Sequence, residues 1–553
     1  MPHSTGSKAL RNKLSSGLAP PRWRRPSALA LAFLLALPSG APPLYAQAAP
    51  DTRNALPSLG DSASEDFSVA SERRLGERIM RDIRRDPDYL DDPVLLEYLQ
   101  QLWGGLIAAA RARGDIPAEL DERFAWELFM VRDRTVNAFA LPGGFVGVHL
   151  GLVAMTTAPD ELASVLAHEL SHVTQRHIAR SVGAGKTSSL VGLAGLILGV
   201  LAASRSPEAA QALITGGQAV AVQGQLNYTR DFEREADRVG FGILTGAGHA
   251  PSGMAAMFER LQVASRLNDN QNFPYLRSHP LTSERIGEAR SRLGVSGAAA
   301  PTAGRPLRYA MVRARARVLM DPREGSLQRV QDFEPAPALP ALQASAAAAD
   351  VATSADKLAV LYASALASLL RRDFARAEAS VAAARPLVAA EPAAATMLDQ
   401  LALQVLLTRG DAARAGVLLQ ALLAAPGGST SRPLLLAQAQ HALLAGAPAD
   451  AVRRSRERLQ TWVANRPADA LAWGSLAQLW VRSGQRLQSV RAEAEARSAS
   501  GDVTGAIERL RAVQRLAATA TGADVIEASV VEARLRELEA LRRQIVAEER
   551  SDS

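Results

Sequence analysis

Apolar residues return every three or four positions along most of the chain, a spacing that predicts helices. SERRLGERIMRDI (71–83) and DDPVLLEYLQQLWGGLIAAARARG (91–114) carry it through a helical stretch spanning 66–113. FAWELFMVRD (124–133) replaces it with a run of apolar and aromatic residues that reads as a strand. NAFALPGGFVGVHLGLVAM (137–155) sets a Pro-Gly-Gly turn between two apolar runs, which predicts a hairpin leading into a helix. TTAPDELASVLAHELSHVTQRHIARSV (156–182) then predicts one long helix, with Pro159, Asp160 and Glu161 suited to its N-terminus.

Two further changes of pattern divide the chain. Residues 295–356 are rich in Ala, Pro, Gly and Ser around one patterned piece, YAMVRARARVLM (309–320), and read as a linker with a short tethering element. From 357 to 545 the pattern is helical and Ala/Leu-rich, and turn signals recur in it. RRDFARA (371–377), RGDAARA (409–415), AGAPADAV (445–452) and SGQRLQSV (483–490) follow one another at intervals of 36 to 38 residues, each after an apolar helix. That period is the signature of a tetratricopeptide-like helical solenoid, whose concave surface suits another polypeptide.

At the N-terminus, RWRRPS (22–27) is basic, ALALAFLLAL (28–37) is an apolar run of ten, and LYAQA (44–48) carries small residues. This order predicts a signal peptide over 1–47, cleaved near Ala46–Ala48, and a flexible lead-in over 48–65. Export of the mature protein is the expectation.

Composition narrows the functions. With 553 residues the chain exceeds one ordinary core, and 48% hydrophobic with 22% charged residues is globular. Aromatics are 5%, so Ala and Leu carry the core, which favours helices. There are no cysteines, which excludes disulfides, thiolate metal sites and cysteine nucleophiles. The net charge of +7 rests almost wholly on arginine, with no basic patch interleaved with aromatics, so no nucleic-acid partner is expected. GAGKTSSL (183–190) imitates a phosphate loop, but the pattern requires Gly where Arg180 stands, and a helix precedes it. SLVGLAGLILGVLAA (189–203) is fifteen residues, short for a membrane span, and reads as part of a lid-like apolar hairpin over 183–226 with at most peripheral membrane contact.

The candidate chemistry lies in HELSHVTQRH (168–177). On a helix, His168 and His172 share a face one turn apart and can ligate one zinc ion, with Glu169 beside them as general base for an attacking water. On the same continuous helix His177 lies roughly 180° from His168 and 140° from His172, so it points away from the metal. VTQR (173–176) contains no glycine to turn the chain back, so the third ligand must come from elsewhere. DFEREADRVGFGIL (231–244) is the outstanding candidate, against an ordinary charged helix surface: Glu233 is helically spaced with Ala236, Val239, Gly240 and Leu244 and could sit on the packed face. Asp237, one turn on, is placed to hydrogen-bond a ligand histidine, while Glu235 lies roughly 160° away and reads as solvated. His3, His149, His249 and His441 have no partner at ligand spacing and read as structural or surface residues.

HELSHVTQRH followed by YTRDFEREADRVG (228–240) resembles family 48 of the metallopeptidases, the HExxH zincins that include prenyl-protein endopeptidases. The resemblance implies zinc, one ion per chain, held by His168, His172 and Glu233, with Glu169 catalytic and Asp237 supporting. NAFALPGG (137–144) matches the segment that forms a substrate-lining edge strand in the family, which points to Asn137, Gly143 and Gly144. RSHPLTSERI (277–286) matches a further element whose histidine approaches the zinc, so His279 is a candidate regulatory fourth ligand. Thr229 stands where Ser is commoner.

The implied fold is mostly α. It comprises an α+β zincin-like protease domain with a small sheet over 66–294, followed by the α-helical solenoid. A cleaved signal and C-terminal repeats resemble exported members of the family. The implied function is a periplasmic zinc endopeptidase that degrades misfolded or misassembled envelope proteins, with repeats that dock on the outer-membrane β-barrel assembly machinery. The competing expectation is a chaperone or assembly scaffold with a latent, self-inhibited metal site.

Overall fold

The computed structural model describes residues 67–184, 230–267, 273–293, 307–332, 346–448, 450–517 and 523–552. The expected signal peptide and lead-in, nearly all of the apolar hairpin over 183–226 and most of the non-helical linker lie outside them. The mostly helical fold with a small sheet expected from the sequence is what the chain adopts.

Helix α1 (Val69–Arg85) precedes strand β1 (Tyr89–Leu90), helices α2 (Pro93–Arg113) and α3 (Ala118–Arg123), and strands β2 (Glu127–Val131), β3 (Ala138–Leu141) and β4 (Phe145–His149). The sheet order is β1-β2-β4-β3, with β2 and β4 parallel and the other two pairs antiparallel. Period-two alternation sends Leu128, Met130, Ala138, Ala140, Val146 and Val148 into the main core. Phe129, Val131, Leu141 and Phe145 go to the opposite face, where α1 covers them with Leu75, Ile79 and Met80. A sheet covered on both sides accounts for strands that read as continuous apolar runs.

The β3–β4 turn needs its glycines. Gly143 and Gly144 have φ of +77° and +87°, and a Cβ on either would come within 2.8 Å of Arg73 Cα or Phe124 Cβ. The hairpin runs into α4 (Leu150–Met155), as the Pro-Gly-Gly pattern predicts, and then into α5 (Pro159–Thr174). Pro159 sits in the first turn of α5 with Asp160 and Glu161, and every residue from Glu161 to Thr174 is buried.

The long helix predicted over 156–182 is instead two. It stops at Gln175, and α6 (His177–Ala184) starts after a left-handed residue, Arg176, with φ of +52°. Such a conformation is uncommon outside glycine and is held here by tertiary contacts. Arg176 Nε donates to Glu72 Oε2 (3.0 Å) and its Nη2 to the Phe67 carbonyl (2.6 Å).

Helices α7 (Arg230–Gly246), α8 (Ser252–Leu267), α9 (Pro274–Ser278) and α10 (Ser283–Ser291) complete the surroundings of α5. Gly240 lets α7 approach α5 closely, since a Cβ there would sit 3.1 Å from the Ala167 carbonyl oxygen and the His168 amide nitrogen. The patterned piece expected at 309–320 is α11 (Leu307–Met320), and its side chains are largely buried. Its Arg315 makes a bidentate pair with Asp92 (2.6 and 2.7 Å) and reaches the Tyr362 hydroxyl (3.1 Å).

After α12 (Glu324–Asp332), helices α13 (Ala346–Leu370) through α22 (Ala523–Asp552) run to the C-terminus, each packed on the next. The recurring turn signals fall where new helices begin: Asp373 and Asp411 cap helices starting at Phe374 and Ala412. The main core is continuous from the sheet through Tyr309 to Tyr362, Leu398 and Leu401.

Candidate metal centre

Four buried side chains from three elements converge. His168 and His172 project from α5, Glu233 from α7, and His279 caps the C-terminus of α9. One nitrogen or oxygen from each lies within 4.8 Å of all the others. His168 Nε2 is 3.0 Å from His172 Nε2 and 3.3 Å from His279 Nδ1. Glu233 lies 3.5 Å from both His168 Nε2 and His172 Nε2, and 2.9 Å from His279 Nδ1.

The remaining nitrogen of each α5 histidine has its own partner. His168 Nδ1 meets Asp237 Oδ1 at 2.9 Å, and Arg285 grips Asp237 through Nε (2.7 Å) and Nη2 (2.9 Å). Arg285 Nη1 also lies 2.8 Å from Glu233 Oε2. Sequence reasoning missed Arg285, although it stands inside RSHPLTSERI; an arginine on a short polar helix carries no signal of burial, yet this one is 4% exposed.

His177 is the larger correction. The elbow at Arg176 swings it back behind His172, where its Nδ1 lies 2.8 Å from His172 Nδ1, and it is fully buried. Its Nε2 meets Glu235 Oε2 at 3.1 Å, and Arg180 Nη1 donates to the same oxygen at 2.8 Å. Glu235 is therefore engaged rather than solvated. The periodic extrapolation failed because it assumed an unbroken helix through Arg176.

Glu169 is fully buried beside the tetrad, with His279 Nε2 3.6 Å from its Oε1. Among the described residues neither of its oxygens has a well-formed hydrogen bond, which leaves an acceptor poised at the cluster. Asn137 lies at the entry to β3, where its carbonyl accepts from the His149 amide (3.0 Å), and β3, like β1, is an edge strand of the described sheet. Of the other histidines His3 lies outside the described residues, while His149 meets Thr135 (2.8 Å), His249 Asp160 (2.8 Å), and His441 the Ala412 carbonyl (2.9 Å).

Charge is distributed unevenly through the cluster. Burial opposes protonation of His168, but Asp237 and Glu233 outweigh it and push the imidazole up to about 10. His172 is held well below the usual histidine range by burial and by the neighbouring His168. Burial pushes the Glu169 carboxyl up, and it pushes His177 down to about 4. Burial would also raise Glu233, but His279 and His168 hold it well below the usual carboxylate range. Three imidazoles and one carboxylate at these separations are a donor set suited to a borderline cation such as zinc.

An HExxH helix packed against a glutamate-bearing helix, beside a small sheet in which β3 pairs with no further strand among the described residues, is the arrangement expected of a metallopeptidase domain. Residues 98–293 match the family model of Peptidase family M48. Over 237 residues it is 39% identical to a putative beta-barrel assembly-enhancing protease of Vibrio cholerae, covering 43% of this chain and 47% of that protein. It is 33% identical over 242 residues to the beta-barrel assembly-enhancing protease of Escherichia coli, covering 44% and 48%. It is 31% identical over 161 residues to the mitochondrial metalloendopeptidase OMA1 of Schizosaccharomyces pombe, covering 29% and 44%. The match spans about half the length of the two bacterial relatives. Among the described residues no helix is long and apolar enough to cross a membrane.

Proposed function

We propose that the chain is a zinc-dependent endopeptidase of the bacterial periplasm that degrades misfolded or misassembled envelope proteins. The convergence of His168, His172, Glu233 and His279 within 4.8 Å, with the buried Glu169 carboxyl alongside, carries this reading. His168, His172 and Glu233 would hold the ion, one per chain. When bound, zinc polarises a scissile carbonyl and acidifies water. Glu169 takes the proton of the attacking water and returns it to the leaving amine. The outer edge of β3, which pairs with no further strand among the described residues, is approached through Asn137 and closed by the Gly143–Gly144 turn, and it would offer backbone groups to an extended substrate. The helices beyond 357 present a surface for polypeptide and for the outer-membrane β-barrel assembly machinery, a partner suggested by the names of the bacterial relatives.

The test is Glu169→Gln in the full chain. Zinc should be retained while casein cleavage falls by about 10²–10⁴-fold; unaltered cleavage overturns the reading. A second reading, an assembly scaffold with a self-inhibited site, has one observation in its favour. His279 stands 3.3 Å from His168 and 2.9 Å from Glu233, close enough that its imidazole would complete the donor set in place of water. It gains if the zinc-loaded protein cleaves nothing until His279 is replaced by alanine.

A further inference from the structure

The two α5 histidines of the tetrad are backed in unlike ways. Behind His168 stands one carboxylate, Asp237, clamped by Arg285 and 1% exposed. Behind His172 stands a second imidazole, His177, and only beyond it a carboxylate, Glu235, clamped by Arg180.

Proton accounting gives this longer chain a direction. His172 turns Nε2 toward the tetrad, 3.0 Å from His168 Nε2 and 3.5 Å from Glu233. A lone pair can be offered to a cation there only if the hydrogen sits on Nδ1. That hydrogen points at His177 Nδ1, 2.8 Å away, which must then accept. His177 consequently carries its own hydrogen on Nε2 and donates it to Glu235 Oε2 at 3.1 Å. An ionised carboxylate accepts only, so it sets both tautomers from the far end.

The ring of His177 is held for this role. It stacks on Phe232, with centroids 4.5 Å apart and planes 11° apart, and the Arg180 guanidinium lies 4.6 Å from the centroid of the same Phe232 ring. Phe232 and Glu235 belong to α7, which also delivers Glu233, so one helix places both a ligand and the support of another.

We propose that His177 and Glu235 are positioning residues for His172, fixing its ring and its tautomer so that Nε2 faces the ion. The proposal rests on the reading of the tetrad as a zinc site. Support of this kind changes metal affinity by about 10–100-fold when removed.

The experiment measures zinc affinity of the full chain by competition with a chromophoric chelator, together with the visible spectrum of the cobalt-substituted protein. His177→Phe should weaken zinc by about 10–100-fold and shift the cobalt bands. His177→Gln, whose amide oxygen can still accept from His172, should recover part of the loss. Glu235→Gln acts at the partly exposed end of the chain of contacts, so the test does not depend on how His177→Phe folds. It should weaken zinc by about tenfold. Variants that are folded by circular dichroism and bind zinc and cobalt as the parent does overturn the relay alone. A parent chain that binds no zinc overturns the site reading with it.

Discussion

In the helix pair α5 and α7 the buried faces carry His168, Glu169, His172, Glu233 and Asp237, whereas the helices from 346 to 517 bury alanine and leucine. Charged side chains in that second region mostly sit at the surface, in pairs such as Arg453–Glu457 and Arg414–Glu378. Its principal buried charge, Arg432, is spent on a junction, pairing with Asp469 and with Asp91 ahead of α2. Burying polar groups costs stability unless each is paired, so the first region holds together only as a network. The second is additive and local, each helix answering to its neighbours.

That contrast can be broken at Arg285. Arg285→Leu removes the permanent cation from a buried cluster and leaves Asp237 and Glu233 with their histidine contacts alone. A loss of about 3–5 kcal/mol in urea unfolding is expected, with zinc affinity falling in parallel. A folded variant of unchanged stability would show that the network is not cooperative.

A core substitution in the helical region should behave more simply. Leu401→Ala, at a fully buried position, should cost about 2–5 kcal/mol through lost transfer energy and a cavity. The surface change Val417→Ser, at a residue 76% exposed, should stay within about 0.5 kcal/mol. Zinc affinity of the folded Leu401→Ala protein should match the parent. Loss of zinc there would mean the two regions are coupled through their shared core.

Acidity sharpens the comparison further. Burial pushes Glu72 up to about 7 despite Arg176 beside it, whereas Asp469 is held below the usual range because Arg432 outweighs its burial. A raised carboxyl contributes most stability below its unfolded value and loses it as pH rises through the folded one. The Glu72 contribution therefore declines between about pH 4.5 and 7, by about 3 kcal/mol at most. Asp469 runs the other way, stabilising above its unfolded value and losing that only in acid. Unfolding midpoints of the parent and Glu72→Gln, taken from pH 4.5 to 7.5, should diverge across that window, while parallel curves refute the assignment. Because Glu72 ties the Arg176 elbow, the same pH rise acts on the contact that turns His177 inward.

Much of this was legible from periodicity. Apolar spacing predicts the helices, Pro142-Gly143-Gly144 predicts the hairpin, and a 3.6-residue turn puts His168 with His172 and Glu233 with Asp237. The misses at His177 and Glu235 share a cause. Arg176 adopts a left-handed conformation without the glycine or asparagine that would announce it, because Glu72 and the Phe67 carbonyl, more than a hundred positions earlier, hold its side chain. From that one residue follow the wrong bearing of His177 and the mistaken solvation of Glu235.

The sequence by itself determined the mostly helical class, the turn glycines and the shared face of His168 and His172, since each depends on neighbours within a few residues. Only the tertiary structure decided that Glu233 and His279 meet them, that Arg285 closes the cluster and that His177 returns behind His172. Those contacts join residues tens of positions apart, through packing and charge pairing that no local period encodes.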